Sequence, residues 1–182
     1  MAAMRLPVAV NLTAPEADVR LAAFSVEAAG ALFVALDHAD VWAHIPGPRP
    51  ASPTDLATLL TGDETRRQAL VIHARGRVAG TSSYFFDHGA PEGVEIGATL
   101  YAPALWGSGV NTAVKGSMIS AAFAAGAQWV QFRTDERNGR SAAAILKLPG
   151  AVELPPLLES EKIRSDGTVR TSRMFRIPRP AT

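Results

Sequence analysis

Cysteine is absent from the 182 residues. That absence excludes disulfides, zinc sites built on thiolates and thiol catalysis. A surplus of one charge is absent too: 18 Lys and Arg face 17 Asp and Glu, a formal net charge of +1. Neither a nucleic-acid footprint nor a polybasic membrane patch is therefore expected. No apolar run is long enough to cross a bilayer, and the opening residues hold no signal-peptide core, so the expected setting is cytoplasmic. Tyrosine is scarce, with Tyr84 and Tyr101 the only two. What is present is an ordinary globular composition, 47% hydrophobic and 19% charged, in a length that suits a real core. One domain over 1–182 is expected, with residues 1–18 as a lead-in broken by Pro7 and Pro15.

Residues 94–111 organise the chain. Val94-Glu95-Ile96-Gly97-Ala98-Thr99-Leu100-Tyr101 reads as a strand, Ala102-Pro103-Ala104-Leu105 as a proline-marked exit, and Trp106-Gly107-Ser108-Gly109-Val110-Asn111 as a tight turn. A helix over 110–126 follows, with Val110, Val114, Met118, Ala121 and Ala122 on one apolar stripe. A helix start carries N–H groups without an intrahelical partner, and the positive end of the helix dipole. Glycines just before it let the main chain approach a ligand. Together these make an anion site whose leading occupant is a phosphorylated cofactor; an ordinary strand-to-helix turn is the alternative. Two phosphate motifs fail the spacing. A dinucleotide fingerprint needs a small third residue where Thr112 stands, and a nucleotide triphosphate loop needs Gly-Lys-Ser/Thr where Gly109-Val110-Asn111 stands.

Further strands are expected over 19–25, 68–74, 78–86, 129–134, 151–153 and 169–177, with Arg75-Gly76 as a hairpin turn. Helices are expected over 26–36 and 54–60, and a second Ala-rich helix opens at 135–141 and reaches Leu148. Residues 37–46 read as a mixed loop, and 155–168 as a polar excursion fit for a lid or a partner surface. Helices set among consecutive strands imply an α/β layered fold with a mixed sheet.

Four stretches then act together: Glu95-Ile96-Gly97, Trp106-Gly107-Ser108-Gly109-Val110-Asn111-Thr112, Gln131-Phe132-Arg133-Thr134-Asp135-Glu136-Arg137-Asn138-Gly139-Arg140-Ser141 and Asp166-Gly167-Thr168-Val169-Arg170. In combination they resemble the GNAT superfamily of N-acetyltransferases, closest to its ribosomal-protein-alanine acetyltransferase-like branch. The resemblance implies the α/β GNAT fold, a mixed, mostly antiparallel twisted sheet of six to seven strands flanked by about four helices. It implies transfer of an acetyl group from acetyl-CoA to a primary amine, on a protein N-terminus or a small molecule, by direct attack in a ternary complex and without metal. A homodimer is one assembly open to such a chain. The alternatives are a non-catalytic acetyl-CoA or CoA-binding module and, further off, an α/β ligand-binding protein unrelated to CoA.

The resemblance also assigns roles. It sets the CoA diphosphate on Leu105, Trp106, Gly107, Ser108, Gly109, Val110, Asn111 and Thr112, mostly through main-chain N–H groups. Ala104 departs from the family motif, where Gln or Arg is usual, so one side-chain contact is missing. Asn138 and Ser141 are set against the pantetheine arm; helix capping is their alternative. Arg140 and Lys147 are candidates for the ribose phosphate, or a solvated helix face. Glu95, a carboxylate in an otherwise apolar strand, is the candidate base, or else the structural partner of an arginine; His44 and His73 are the other candidate bases. Freeing a lysine-type amine at pH 7 costs about 4.6 kcal/mol and an α-amine about 1 kcal/mol, so a weak or water-mediated base suffices for the latter. The tyrosine that often serves the family as acid corresponds to Ile145, so Ser141 or a water is left to donate to the leaving thiolate. Trp42, His44, Tyr84 and Phe86 are candidates for an acceptor cleft, with core packing as the alternative.

Overall fold

The computed structural model describes residues 4–5, 7–63, 65–164 and 166–181. Along them run β1 (Leu12–Ala14), β2 (Val19–Ala23), α1 (Ala29–Ala35), α2 (Ala39–Trp42), α3 (Pro53–Thr61), β3 (Arg67–Ala74), β4 (Arg77–Phe85) and β5 (Gly93–Tyr101). Then come α4 (Val110–Ala124), β6 (Trp129–Asp135), α5 (Gly139–Leu146), β7 (Val152–Ile163) and β8 (Val169–Pro178). The strands form one sheet in the order β1-β2-β3-β4-β5-β6-β8-β7. Every neighbouring pair is antiparallel except β5 and β6. The α/β class with a mixed, mostly antiparallel sheet is as expected.

The counts differ from expectation. Eight strands replace six to seven, because β1 pairs with β2 inside the stretch read as a lead-in. Five α-helices replace about four, because the four-residue α2 lies in the stretch read as a loop. The polar excursion is mostly strand as well: β7 runs on through it and pairs with β8. Pro155 and Pro156 cannot donate to a ladder, and the pairing skips them with a register shift between Leu154 and Leu157. An edge strand tolerates that interruption, and its exposed, polar face hides the alternation by which strands are recognised.

Helices cover both faces. On one, α4 and α5 bury Val110, Val114, Met118, Ala142 and Ile145 against Val94, Ile96 and Phe132. On the other, α1 and α3 bury Leu32, Leu56 and Leu60 against Val71 and Leu100. One strand therefore feeds both cores. Strict alternation would send Ile96 and Leu100 to the same face, but β5 carries an extra residue opposite Ser82, where the pairing jumps from Thr81↔Leu100 to Ser83↔Gly97. Ala98 absorbs the irregularity with a left-handed backbone, φ 47°. The bulge swaps the phase of the strand, so Leu100 faces α1 and α3 while Tyr101 returns to the α4 side.

Candidate active site

Beyond the bulge β5 loses its neighbour. The parallel ladder with β6 has three pairs, Gly93↔Trp129, Val94↔Val130 and Glu95↔Gln131, and no more. From Ile96 and Phe132 onward the two strands diverge. The fork between them opens into a cleft of about 800 Å³ lined by both strands, by α4 and α5, and by the 105–112 turn. A second cavity of about 610 Å³ lies beside it, between α2 with its following loop and the β7–β8 end of the sheet. His44, Ile45, Pro46, Lys162 and Arg170 line both.

The turn is built by two left-handed glycines, Gly107 (φ 75°) and Gly109 (φ 85°). A Cβ on either would meet nothing within 4 Å, so the dihedral and not crowding requires glycine. Gly109 caps α4 without any side-chain hydrogen bond. Some amides of the loop are engaged internally: Trp106 donates to the Pro103 carbonyl, Ser108 to Leu105, and Thr112 and Ala113 to Gly109. Among the described residues, the donors left at the helix start are the N–H groups of Gly107, Gly109, Val110 and Asn111, joined to the positive end of a 15-residue helix. Nearby, Trp106 Nε1 donates to the Tyr101 carbonyl and the Arg140 guanidinium stacks 4.0 Å over the Trp106 ring.

Side chains, not amides, line the opposite wall. Glu95 accepts from Arg133 Nε (3.1 Å) and Nη2 (2.8 Å), and Arg133 Nη1 reaches Glu159 at 2.6 Å. Glu159 also binds Arg170, Lys162 and Ser172, and Arg170 lies 4.0 Å from Asp135, which Arg164 holds from two sides. Burial would raise the Glu159 carboxyl, but hydrogen bonds from Lys162 and Ser172 and the charge of Arg133 outweigh it and hold the group below its ordinary value. At Asp135 burial again pulls upward, and the bonds from Arg164 and the Arg137 amide again prevail.

The sequence pattern of the Acetyltransferase (GNAT) domain matches residues 18–149, which hold the turn and both arms of the fork. The chain belongs to the GNAT acetyltransferase family. No curated protein sequence matches it. Among solved structures, a probable acetyltransferase of the GNAT family from Chromobacterium violaceum ATCC 12472 superposes with a TM-score of 0.84 at 22% identity, covering 98% of this chain and 90% of that one. Mycobacterium smegmatis RimJ in complex with CoA-disulfide gives 0.77 at 20% identity, covering 94% and 86%. RimL, a ribosomal L7/L12 α-N-protein acetyltransferase, gives 0.76 at 14% identity, covering 93% and 95%. As a GNAT acetyltransferase the chain is an acyltransferase, and the family uses acetyl-CoA.

Within this GNAT cleft the expected residues divide. Glu95, Leu105, Trp106, Gly107, Gly109, Asn111, Thr112, Asn138, Ser141 and His44 all line it. Asn138 also caps α5, accepting from the Ser141 amide at 3.0 Å. The Asn111 side chain accepts from the Tyr101 hydroxyl at 3.3 Å. Ser108 turns back on its own loop, with its hydroxyl bonded to the Leu105 carbonyl, and the Val110 side chain is core. Two acceptor-cleft candidates, Tyr84 and Phe86, lie elsewhere. Tyr84 is fully buried and donates to the Met118 carbonyl at 2.9 Å. Phe86 packs against the α4–α5 core, while its neighbour Phe85, paired across the sheet with Glu95, lines the cleft. Trp42 lines the second cavity and anchors its indole on the Leu36 carbonyl.

One further side chain reaches the cleft. Lys115 on α4 is 5% exposed, with Nζ 5.1 Å above the Phe132 ring. Burial pushes its ammonium pKa down to about 8. Sequence alone leaves it unmarked, although a lysine three residues before Met118 on an apolar stripe is a legible anomaly. Among the described residues no cluster of three or more His, Asp or Glu is placed to hold a metal, and no helix is long and apolar enough to cross a membrane.

Proposed function

We propose that this chain, as one GNAT domain, moves the acetyl group of acetyl-CoA to a primary amine by direct attack within a ternary complex. One observation carries the reading: the β5–β6 ladder ends at Glu95 and Gln131, and the unengaged amides of the turn stand at the far end of the slot so opened. The diphosphate would sit on the N–H groups of Gly107, Gly109, Val110 and Asn111. The edge of β5 past Glu95 faces no strand on that side, so the amides of the pantetheine arm can pair with it as a neighbouring strand would. Ser141 would face the arm and Asn138 would fix the start of α5.

The acceptor would enter through the second cavity, past His44 and Arg170. The likeness to RimL, an α-N-protein acetyltransferase, supports a protein α-amine as the acceptor. Such an amine needs only weak help to lose its proton. Glu95, held by Arg133, would give that help through a water rather than directly. Calorimetry with acetyl-CoA, followed by thiol release with N-terminal peptides and small amines, tests the proposal. Binding together with release on peptides is expected; no binding would end it. A second reading, a CoA-binding module without turnover, is favoured by Ala104 and by the buried Ile145. Tight binding with no release across the panel would select it.

A further inference from the structure

We propose that Lys115 is the proton donor to the departing thiolate of coenzyme A, because its ammonium enters the cleft at the foot of the β5–β6 fork with no carboxylate to neutralise it. The inference rests on the acetyl-transfer reading above and adds a catalytic residue to it. Phe132, over whose ring Nζ sits, is the first residue of β6 past the last paired position. The thioester must lie near that crotch if the diphosphate is at the turn and the arm follows β5.

A lysine there is costly to fold. It is 95% shielded on an apolar stripe where methionine or leucine would pack as well. Among the described residues it forms no ion pair or hydrogen bond; the Phe132 ring face alone offsets its charge, and only in part. The other titratable groups facing the cleft are committed or remote. On β5, Tyr101 is bonded to Asn111 and Glu95 is held by Arg133 of β6. On α5, Arg140 stacks on Trp106 and Lys147 is exposed. At the β7–β8 end, Lys162 and Arg170 are bound to Glu159, while Asp40 and His44 belong to the opposite, acceptor-side rim.

The chemistry balances without another reactant. The amine nitrogen bonds to the thioester carbonyl carbon and loses a proton to solvent; the C–S bond breaks, and sulfur keeps its electron pair. Sulfur then takes a proton from Lys115 Nζ, and neutral Lys115 recovers one from water. With an ammonium pKa near 8 against about 8.5 for a thiol, that transfer is nearly thermoneutral, and at pH 7 the lysine is mostly protonated.

The test uses the full chain, Lys115→Met and Lys115→Arg. Methionine fills the same apolar path; arginine keeps the charge but does not release its proton. The first measurement needs no acceptor: the thiol of bound CoA is titrated by the ultraviolet absorbance of its thiolate. It is expected to ionise at lower pH on the wild type than on Lys115→Met. In turnover, both variants should lose on the order of 10²-fold in kcat with little change in KM for acetyl-CoA. With p-nitrophenyl acetate, whose leaving group needs no proton, Lys115→Met should lose far less. The wild-type kcat should also fall as pH rises past the lysine pKa, a limb absent from Lys115→Arg. CoA that binds wild type and Lys115→Met with the same thiol titration overturns this inference alone. CoA that fails to bind the wild type removes the acetyltransferase reading and this inference with it. Should Lys115→Met not fold, an undiminished kcat in Lys115→Arg still overturns it.

Discussion

At the 105–112 turn the groups offered to the proposed cofactor are main-chain amides, set by two left-handed glycines and one helix start. Across the cleft the groups are charged side chains from β5, β6, β7, β8 and the residues just past β6 and β7, four cations interlocked with four anions: Arg133, Lys162, Arg164 and Arg170 with Glu95, Asp135, Glu136 and Glu159. The first wall is local, and its dipoles cannot titrate or rotate away. The second is non-local; its members meet only through the pairing of distant strands, and removing one leaves its direct partners short of a charge. A cofactor common to a whole family suits the first design. An acceptor that differs between members suits the second, because side chains can be exchanged without disturbing the backbone.

Breaking each wall separately sharpens the contrast. The largest effect is expected from Arg133→Met, which takes from Glu95 its cation and from Glu159 one of three. It should cost about 3 kcal/mol or more of stability, read by denaturant unfolding, while acetyl-CoA affinity at the turn is preserved in the protein that remains folded. Gly109→Glu should do the reverse. A carboxylate where phosphate is meant to sit should weaken acetyl-CoA binding at least about 100-fold, close to 2.7 kcal/mol by calorimetry. Because φ is 85° there, any side chain also strains the turn, so Gly109→Ala is the control and should cost only about 1–2 kcal/mol of stability. Equal loss of CoA affinity in both glycine variants would mean that strain, not charge, is what the turn resists.

The same contrast explains what was legible in the sequence. The turn, the strand before it and the helix after it are set by neighbours within twenty residues, and 94–101 and 110–126 were read close to β5 and α4. The charged wall could not be read so. An arginine partner for Glu95 is one of the sequence alternatives, but nothing near Glu95 names Arg133, 38 residues away, or the Glu159 that Arg133 in turn holds across 26 residues. Phe85 and Phe86 are adjacent and identical in type and differ only in face, so composition alone does not say that Phe85 is the one in the cleft. Core packing, the alternative for Tyr84, is what the fold shows: the Met118 carbonyl accepts from its hydroxyl inside the core. The bulge at Ala98 left no mark in the sequence, since a non-glycine residue holds the left-handed conformation.

Acid should tell the walls apart next. Glu159 and Asp135 have folded-state pKa values below their ordinary ones. Groups shifted down stabilise the fold above the unfolded-state pKa, near 4, and lose that contribution as pH falls through the lower folded value. The melting temperature should therefore drop steeply below about pH 4, after a shallower fall below about 6.5 from His73, whose pKa burial lowers. In Arg133→Met the drop should be shallower, because Glu159 has lost one of the charges that lower it and so has less stability to give up in acid. The Gly109→Ala curve should parallel the wild type, since the turn contains no titrating group.

The smallest effect is expected from Glu95→Gln, and it separates the two roles open to that residue. The amide keeps the shape and still accepts from Arg133, but it loses the charge that orders the guanidinium and any basicity toward water. If Glu95 relays a proton through water, kcat should fall about tenfold at pH 6. The deficit should close as pH approaches that at which the acceptor α-amine, with a pKa near 8, is free without help. If Glu95 serves only to hold Arg133, the deficit should be the same at every pH and should be matched by a loss in unfolding free energy. Pairing each kcat profile with a melt of the same sample decides between them, because only the relay predicts a loss of rate without a matching loss of stability.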